Sequence, residues 1–260
     1  MVLCSCDNYD DAWGPFCTQL LRNWPDFRMP VYLGTESKTF SFYGLDIRCP
    51  LSQGQIYRNW SQRLIKLLEN IKSDYILFML DDFWITEPVN ITAFNRILGY
   101  MRSNPKIGFI CLKDEGGKKI PIPENLRRVE SNYPELVQCL PEEPFRVTTQ
   151  VGIWRRKYFL KLLRSHESAW YFETRATWRS KYYKEEIYDV KQTIIKYPVG
   201  GFFGGGQCYA DYISLYDCSI TAKSVNKRGL IHFGDTRNYP EIKKGINYYY
   251  SILLSILPKW

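Results

Sequence analysis

An apolar run, Tyr75 to Leu80 (YILFML), passes directly into two adjacent carboxylates, Asp81 and Asp82. A run without alternating polar positions is a strand covered on both faces, and such strands belong to parallel sheets packed between helices. Its neighbours fit that setting. Residues 56–72 (IYRNWSQRLIKLLENIK) place Ile56, Trp60, Leu64, Leu67, Leu68 and Ile71 on one face of an amphipathic helix. Residues 86–105 read as a second helix closed by Pro105, and residues 107–112 (IGFICL) as another buried strand. Upstream, MVLCSCD is a short strand ending at Asp7, AWGPFCTQLLRNW a helix, and PVYLGTES a second strand ending in a polar turn. Strand and helix therefore alternate over the first 112 residues. This predicts an α/β fold with a central, mostly parallel sheet and helices on both faces. Ligands of such sheets bind beyond the carboxyl ends of the strands. Asp7, Glu36, Asp81 and Asp82 all fall at predicted strand ends, so they are expected on one rim.

The second half is less regular. Residues 113–146 read as long loops, 147–154 (VTTQVGIW) as a strand, and RRKYFLKLLRS as a short helix. The helical pattern then continues through 168–186. Residues 192–212 read as a strand ending in a glycine-rich loop with Gly200, Gly201, Gly204, Gly205 and Gly206. That loop lacks the GxxxxGK[ST] order of a phosphate cradle. The length of 260 residues suits one domain of this type. It divides into a ligand-binding half at 1–112, a second half at 113–235 and an apolar, aromatic helical tail at 236–260.

Eight cysteines include no CxxC pair, which argues against a structural zinc site. The N-terminus lacks the basic and apolar regions of a signal peptide, so reduced cysteines in a cytoplasmic protein are expected. No apolar run approaches the roughly 20 residues of a membrane-spanning helix. The net charge of +8 suits an anionic partner. Aromatic residues make up 16% of the chain, enough to line a site for flat ligands as well as a core.

Paired acids at a strand end have three uses. They hold Mg²⁺ or Mn²⁺ with substrate phosphates completing the coordination, they act as a glycosidase acid–base pair, or one caps a helix while the other is solvated. Adjacent strand residues point to opposite faces, which counts against the glycosidase pair.

The segment DYILFMLDD resembles the metal-binding strand of GT-A fold, nucleotide-sugar-dependent glycosyltransferases, where a DxD-type motif ends the strand. CSCDNYDDAWGPFCTQLLRNWPD resembles the opening strand and helix of that family, and PVYLGTES its second strand. TTQVGIWRRKYFLKLLRSHESAWYFE resembles its acceptor-side segment. The resemblance covers about residues 1–180 and is nearest to bacterial capsule and O-antigen transferases. It implies a single GT-A (Rossmann-like) domain that moves a sugar from a nucleotide-sugar donor to a glycan or lipid-linked acceptor. Cys6, Asp7, Glu36, Arg63 and Asp81 would then bind the donor. Asp82 and His232 would bind Mn²⁺ or Mg²⁺. Glu173, with Glu167 second, would be the general base of an inverting reaction. Gln150, Trp154 and Trp170 would bind the acceptor. Phe83 stands where a full DxD motif has its second acid, which leaves metal-independent transfer as an alternative.

Each assignment has a plain counterpart. Arg155 and Arg156 are diphosphate donors or solvated helix residues. His232 is a ligand or a structural group. Trp154, Trp170, Tyr171 and Trp178 stack on sugar or pack a core. A tail at the membrane interface would bring the protein to the inner face of the membrane as a peripheral contact. Rival functions are a sugar-phosphate nucleotidyltransferase, whose glycine-rich basic loop after the first strand is missing here, and a non-catalytic carbohydrate- or nucleic-acid-binding module. The aromatics sit in apolar segments rather than along a basic stripe, so no nucleic acid is expected.

Overall fold

The strand YILFML is β4 of a nine-stranded sheet, and its side chains divide between two cores. In chain order the sheet strands and helices are β1 (Val2–Cys4), α1 (Asp10–Asn23), β2 (Val31–Leu33), β3 (Ile47–Arg48), α2 (Trp60–Glu69), β4 (Tyr75–Leu80), α3 (Ile91–Ser103) and β5 (Ile107–Asp114). There follow β6 (Val129–Glu130), β7 (Leu136–Gln138), β8 (Gly152–Arg155), α4 (Arg156–Leu162), α5 (Ala169–Ser180) and β9 (Glu186–Val190). A small three-stranded sheet follows, from β10 (Phe203–Gly204), β11 (Gln207–Tyr209) and, after α6 (Cys218–Arg228), β12 (Leu230–Ile231). The computed structural model describes residues 1–53, 57, 59–114 and 129–232. The expected tail at 236–260 lies outside the described residues.

The large sheet has the order β3-β2-β1-β4-β8-β5-β9-β7-β6. Pairing is parallel from β3 through β4 and between β5 and β9. Only β8 and β7 run against the rest. The sheet is thus mostly parallel, as expected, and β8 from the second half is inserted between β4 and β5 of the first.

Alternation along β4 decides the layers. Leu77 and Met79 join the core with Trp13, Phe16 and Leu20 of α1 and Phe94, Ile97 and Met101 of α3. Ile76 and Phe78 join the other core with Leu64, Leu67 and Leu68 of α2, Tyr158 and Phe159 of α4 and Phe172 of α5. Helices therefore cover both faces.

Local chemistry explains several element ends. Asn59 and Asn90 are the caps of α2 and α3, accepting from the N–H groups of Gln62 and Ala93 at 3.0 Å each. Pro15 inside α1 has no N–H for the Asp11 carbonyl, four residues back. Ser224 Oγ of α6 donates to that carbonyl at 3.3 Å. Asp11, wholly buried, also accepts from Arg228 and Lys227, so α6 is pinned to α1 by a buried ion pair.

Three expectations need correction. The helix predicted over 168–186 ends at Ser180, where the Lys181 N–H bonds back to Trp178, and Glu186 already opens β9. Residues 192–197 form no strand, although Ile194, Ile195 and Tyr197 are buried. The region read as loop contains the β6–β7 hairpin that closes one sheet edge.

Candidate active site

The rim forms where β1, β2 and β4 end. Ser5 follows β1, and its hydroxyl donates to Asp81 Oδ2 while accepting from Trp13 Nε1 at 2.6 Å. Trp84 Nε1 donates to the Asp81 carbonyl at 2.9 Å. Asp81 is therefore a buried, fixed carboxylate. Burial raises its pKa to about 7, opposed by the Ser5 hydroxyl and by the charge of Arg228.

Asp82 is partly exposed as a residue, but its Oδ1 is fully enclosed and meets no hydrogen-bond donor among the described residues. Its pKa is raised well above the carboxylate range, first by burial and second by Asp81; the Phe203 backbone N–H acts in the opposite direction. The glycine-rich loop closes over it. Phe202 N–H donates to the Asp82 carbonyl at 2.9 Å. Gly201 has φ +88°, and a Cβ there would lie 2.0 Å from Asp82 Oδ2. Only glycine permits that approach. Two enclosed carboxylates without a cation repel one another and favour protons. A divalent cation answers both the repulsion and the orphaned oxygen, so the residues fit one.

The other expected donor residues gather beside this pair. Asp7 N–H donates to Glu36 Oε2 at 2.6 Å, and Glu36 N–H donates to Asp7 Oδ1 at 2.8 Å. Asp7 also accepts from Ser37 and Lys38. Glu36 Oε1 is paired with Arg63, whose side chain is 12% exposed. Cys6 lies within range of Arg63, Glu36 and Asp81, and burial pushes its thiol up. Asp7 and Glu36 thus tie the β1 and β2 loops together, and Arg63 is held by Glu36.

Glu173 of α5 accepts three hydrogen bonds, from Thr149 N–H at 2.6 Å, Thr149 Oγ1 at 2.7 Å and Thr148 Oγ1 at 3.0 Å. All three reach Oε1; among the described residues no hydrogen bond to Oε2 is formed. β8 is antiparallel to β4 and pairs Gly152 with Phe78, so the threonines enter from the rim where Asp81 sits. Tyr197 bridges the two sides. Its ring stacks on Phe83 with centroids 4.1 Å apart, and its hydroxyl donates to Gln150 Oε1 at 2.7 Å. Burial, then Cys111, Asp82 and Glu173, hold its phenol protonated. Sequence pattern carried no signal for Tyr197 or Ser5, because both act through neighbours distant in the chain.

Trp170 is 46% exposed and lies one helical turn before Glu173. Three expected site residues are elsewhere. Trp154 is buried and stacked between Phe109 (3.9 Å) and Phe159 (4.2 Å), so it packs the core and offers no face to a sugar. Glu167 is fully buried, with Arg179 bonded to both of its oxygens at 2.6 and 2.7 Å. Its carboxylate is committed to that ion pair and is not an alternative base. His232 is largely exposed and faces Asp211 at 3.6 Å; among the described residues nothing joins it to Asp82. Arg155 and Arg156 donate to carbonyls that end α3 and α2. Arg155 pairs with Tyr75, six residues from Asp81 and so about 20 Å away along the strand.

In overall fold the chain is similar to residues 1–349 of S. aureus TarS, a wall teichoic acid glycosyltransferase. The TM-score is 0.50 at 10% identity, over 98% of this chain and 77% of that one. The likeness is one of fold alone. No protein-family model matches it, and no curated protein matches it by sequence. Among the described residues no helix is long and apolar enough to cross a membrane.

Proposed function

We propose that the chain is a glycosyltransferase that takes a sugar from a nucleoside-diphosphate donor and passes it to a hydroxyl of a glycan or lipid-linked glycan. The observation that carries this reading is the enclosed Asp81–Asp82 pair at the sheet rim, with Asp82 Oδ1 lacking a donor among the described residues and with both Asp82 and Glu173 within electrostatic reach of Tyr197.

Asp82, supported by Asp81, would hold Mn²⁺ or Mg²⁺. When bound, the ion supplies positive charge where the diphosphate leaving group becomes more negative. Asp7 and Glu36 shape the nucleoside end of the groove through their reciprocal hydrogen bonds. Arg63, oriented by Glu36, adds a cation near that end. The acceptor hydroxyl is a poor nucleophile, and a carboxylate must take its proton as it attacks. Three donors on Oε1 fix the Glu173 carboxylate, so Oε2 is the proton-accepting atom. The acceptor oxygen bonds to the anomeric carbon, the bond from that carbon to the diphosphate oxygen breaks, and the proton passes to Oε2. One displacement of this kind inverts the anomeric centre. Trp170 and Gln150 would position the acceptor.

The test is Glu173→Gln, assayed with a panel of UDP- and GDP-sugars and Mn²⁺. Transfer should fall at least 100-fold while donor binding stays within about twofold. Loss of donor binding in parallel would remove Glu173 from the base role.

A further inference from the structure

The outward face of α5 carries rings that the fold does not cover. Of the eight large hydrophobic residues exposed among the described residues, three lie between positions 170 and 182: Trp170, Tyr171 (51%) and Tyr182 (70%). Phe172 and Ala176 take the inward side of α5, in the core with Phe159. Tyr171, Trp178 and Tyr182, seven and four residues apart, fall together on the outward side. Tyr182 carries the helical path past Ser180, its N–H bonding to the Arg179 carbonyl at 3.1 Å. Its ring meets that of Trp178 with centroids 4.9 Å apart. The Arg175 guanidinium lies over the Tyr171 ring at 4.3 Å.

Cations surround these rings. Residues 155–186 hold nine Lys or Arg and four Glu, a net +5 out of the chain's +8. Three of the four acids are engaged: Glu167 with Arg179, Glu185 with Lys161 at 3.1 Å, and Glu186 with the Asn104 amide at 3.0 Å. Lys157, Lys181 and Lys184 are exposed and, like Lys106, pair with no acid among the described residues. Tyr182 shares one open groove with Lys106, Lys161 and Lys184. The rings and the lysines therefore form one surface. That surface is poor in partners for sugar hydroxyls, which a carbohydrate site places among its stacking rings. The Thr174 hydroxyl, between the rings, donates back to the Trp170 and Tyr171 carbonyls at 3.4 and 3.2 Å.

We propose that this face of α5 is a docking surface for an anionic lipid bilayer. Charge complementarity selects the partner, because the surplus cations need an array of negative groups and the rings between them need an apolar layer. Trp and Tyr, apolar with a polar tip, settle at the level of the headgroups. Lysines reach the lipid phosphates on long apolar stems. The inward side of α5 is packed on the core, so the helix rests on the bilayer and does not enter it. Docking requires no transfer activity, so it stands or falls apart from the glycosyltransferase reading.

The test is co-sedimentation of the full chain with vesicles of phosphatidylglycerol and phosphatidylcholine in a one-to-two ratio, and with vesicles of phosphatidylcholine alone. The wild type should bind the mixed vesicles far better than the neutral ones, and added salt should weaken binding. Lys181→Glu combined with Lys184→Glu should lower the partition coefficient at least tenfold. Tyr171→Ser combined with Tyr182→Ser should also lower it at least tenfold. Arg22→Glu combined with Lys223→Glu changes the net charge by the same amount on α1 and α6, which cover the other face of the sheet, and should leave binding within twofold. Absence of wild-type binding overturns the proposal. An equal loss in the α1–α6 pair also overturns it, since net charge alone would then drive the attraction. Retention of the wild type by a single-stranded oligonucleotide but not by vesicles overturns it as well, and assigns the face to nucleic acid. Should the tyrosine variant fail to fold, the two charge variants, altered only at exposed side chains, decide the matter.

Discussion

Asp81→Asn should stabilise the metal-free protein, and the gain should depend on pH. Burial raises the Asp81 carboxyl from 3.8 to about 7. Between those values the folded chain keeps a proton that the unfolded chain releases. Stability from this group is therefore complete below about pH 4 and falls as pH rises to about 7, then stays flat. Three pH units at about 1.4 kcal/mol each amount to about 4 kcal/mol. Asp82 is shifted in the same direction, so the window belongs to the pair. Asparagine removes one of the two charges and can still accept from Ser5. Thermal unfolding in the presence of a chelator, from pH 5 to 8, should show wild type and variant diverging as pH rises. At pH 8 the variant should melt roughly 8 to 16 °C higher. Saturating Mn²⁺ should raise the wild-type curve at pH 8 and leave the variant nearly unmoved. Parallel curves across the whole range would refute the claim that enclosed, uncompensated carboxylates define this rim.

Two further substitutions separate scaffold from site. Glu167→Gln leaves Arg179 buried without its countercharge, so it should cost about 3 kcal/mol and lower Tm by roughly 6 °C or more, whereas Glu173→Gln should melt near the wild type; equal Tm losses would show that Glu173 is structural too. Gly201→Ala combines an unfavourable φ with a Cβ driven into Asp82, so stability should fall by at least about 1–2 kcal/mol and Mn²⁺-dependent donor binding should weaken; unchanged calorimetric binding would mean that the loop does not shape the Asp82 environment.

The layout of the fold was legible where the pattern is local. The unbroken apolar run of β4 forms where expected, and the strand–helix alternation before residue 112 is present, but the helices are shorter than their apolar spacing suggests: α2 covers Trp60–Glu69 of the 56–72 expected, Ile56 lying outside the described residues, and α3 covers Ile91–Ser103 of 86–105. β9 was hidden because Ile187, Tyr188, Asp189 and Val190 are all buried, so the strand shows no alternation, and the aromatic spacing before it mimics a helix. The antiparallel insertion of β8 is a matter of long-range pairing that no local period records.

The candidate site divides in the same way. Acids at strand ends reach one rim because strand direction puts them there. Burial sorts the rest. Trp154 and Trp170 look alike in sequence, yet one is enclosed by Phe109 and Phe159 while the other is half exposed on α5. Glu167 and Glu173 lie on neighbouring turns, but Arg179 claims the first and the Thr148–Thr149 pair orients the second.

The central claim is that Asp82 binds a donor diphosphate through a cation. Calorimetric titration of a UDP- and GDP-sugar panel into wild type and Asp82→Ala, each with Mn²⁺ and with chelator, tests it most directly. The account predicts binding of at least one nucleotide sugar to the wild type, weakened at least tenfold by chelator and by Asp82→Ala in a protein that still folds. Equal affinity in all four arms would contradict it.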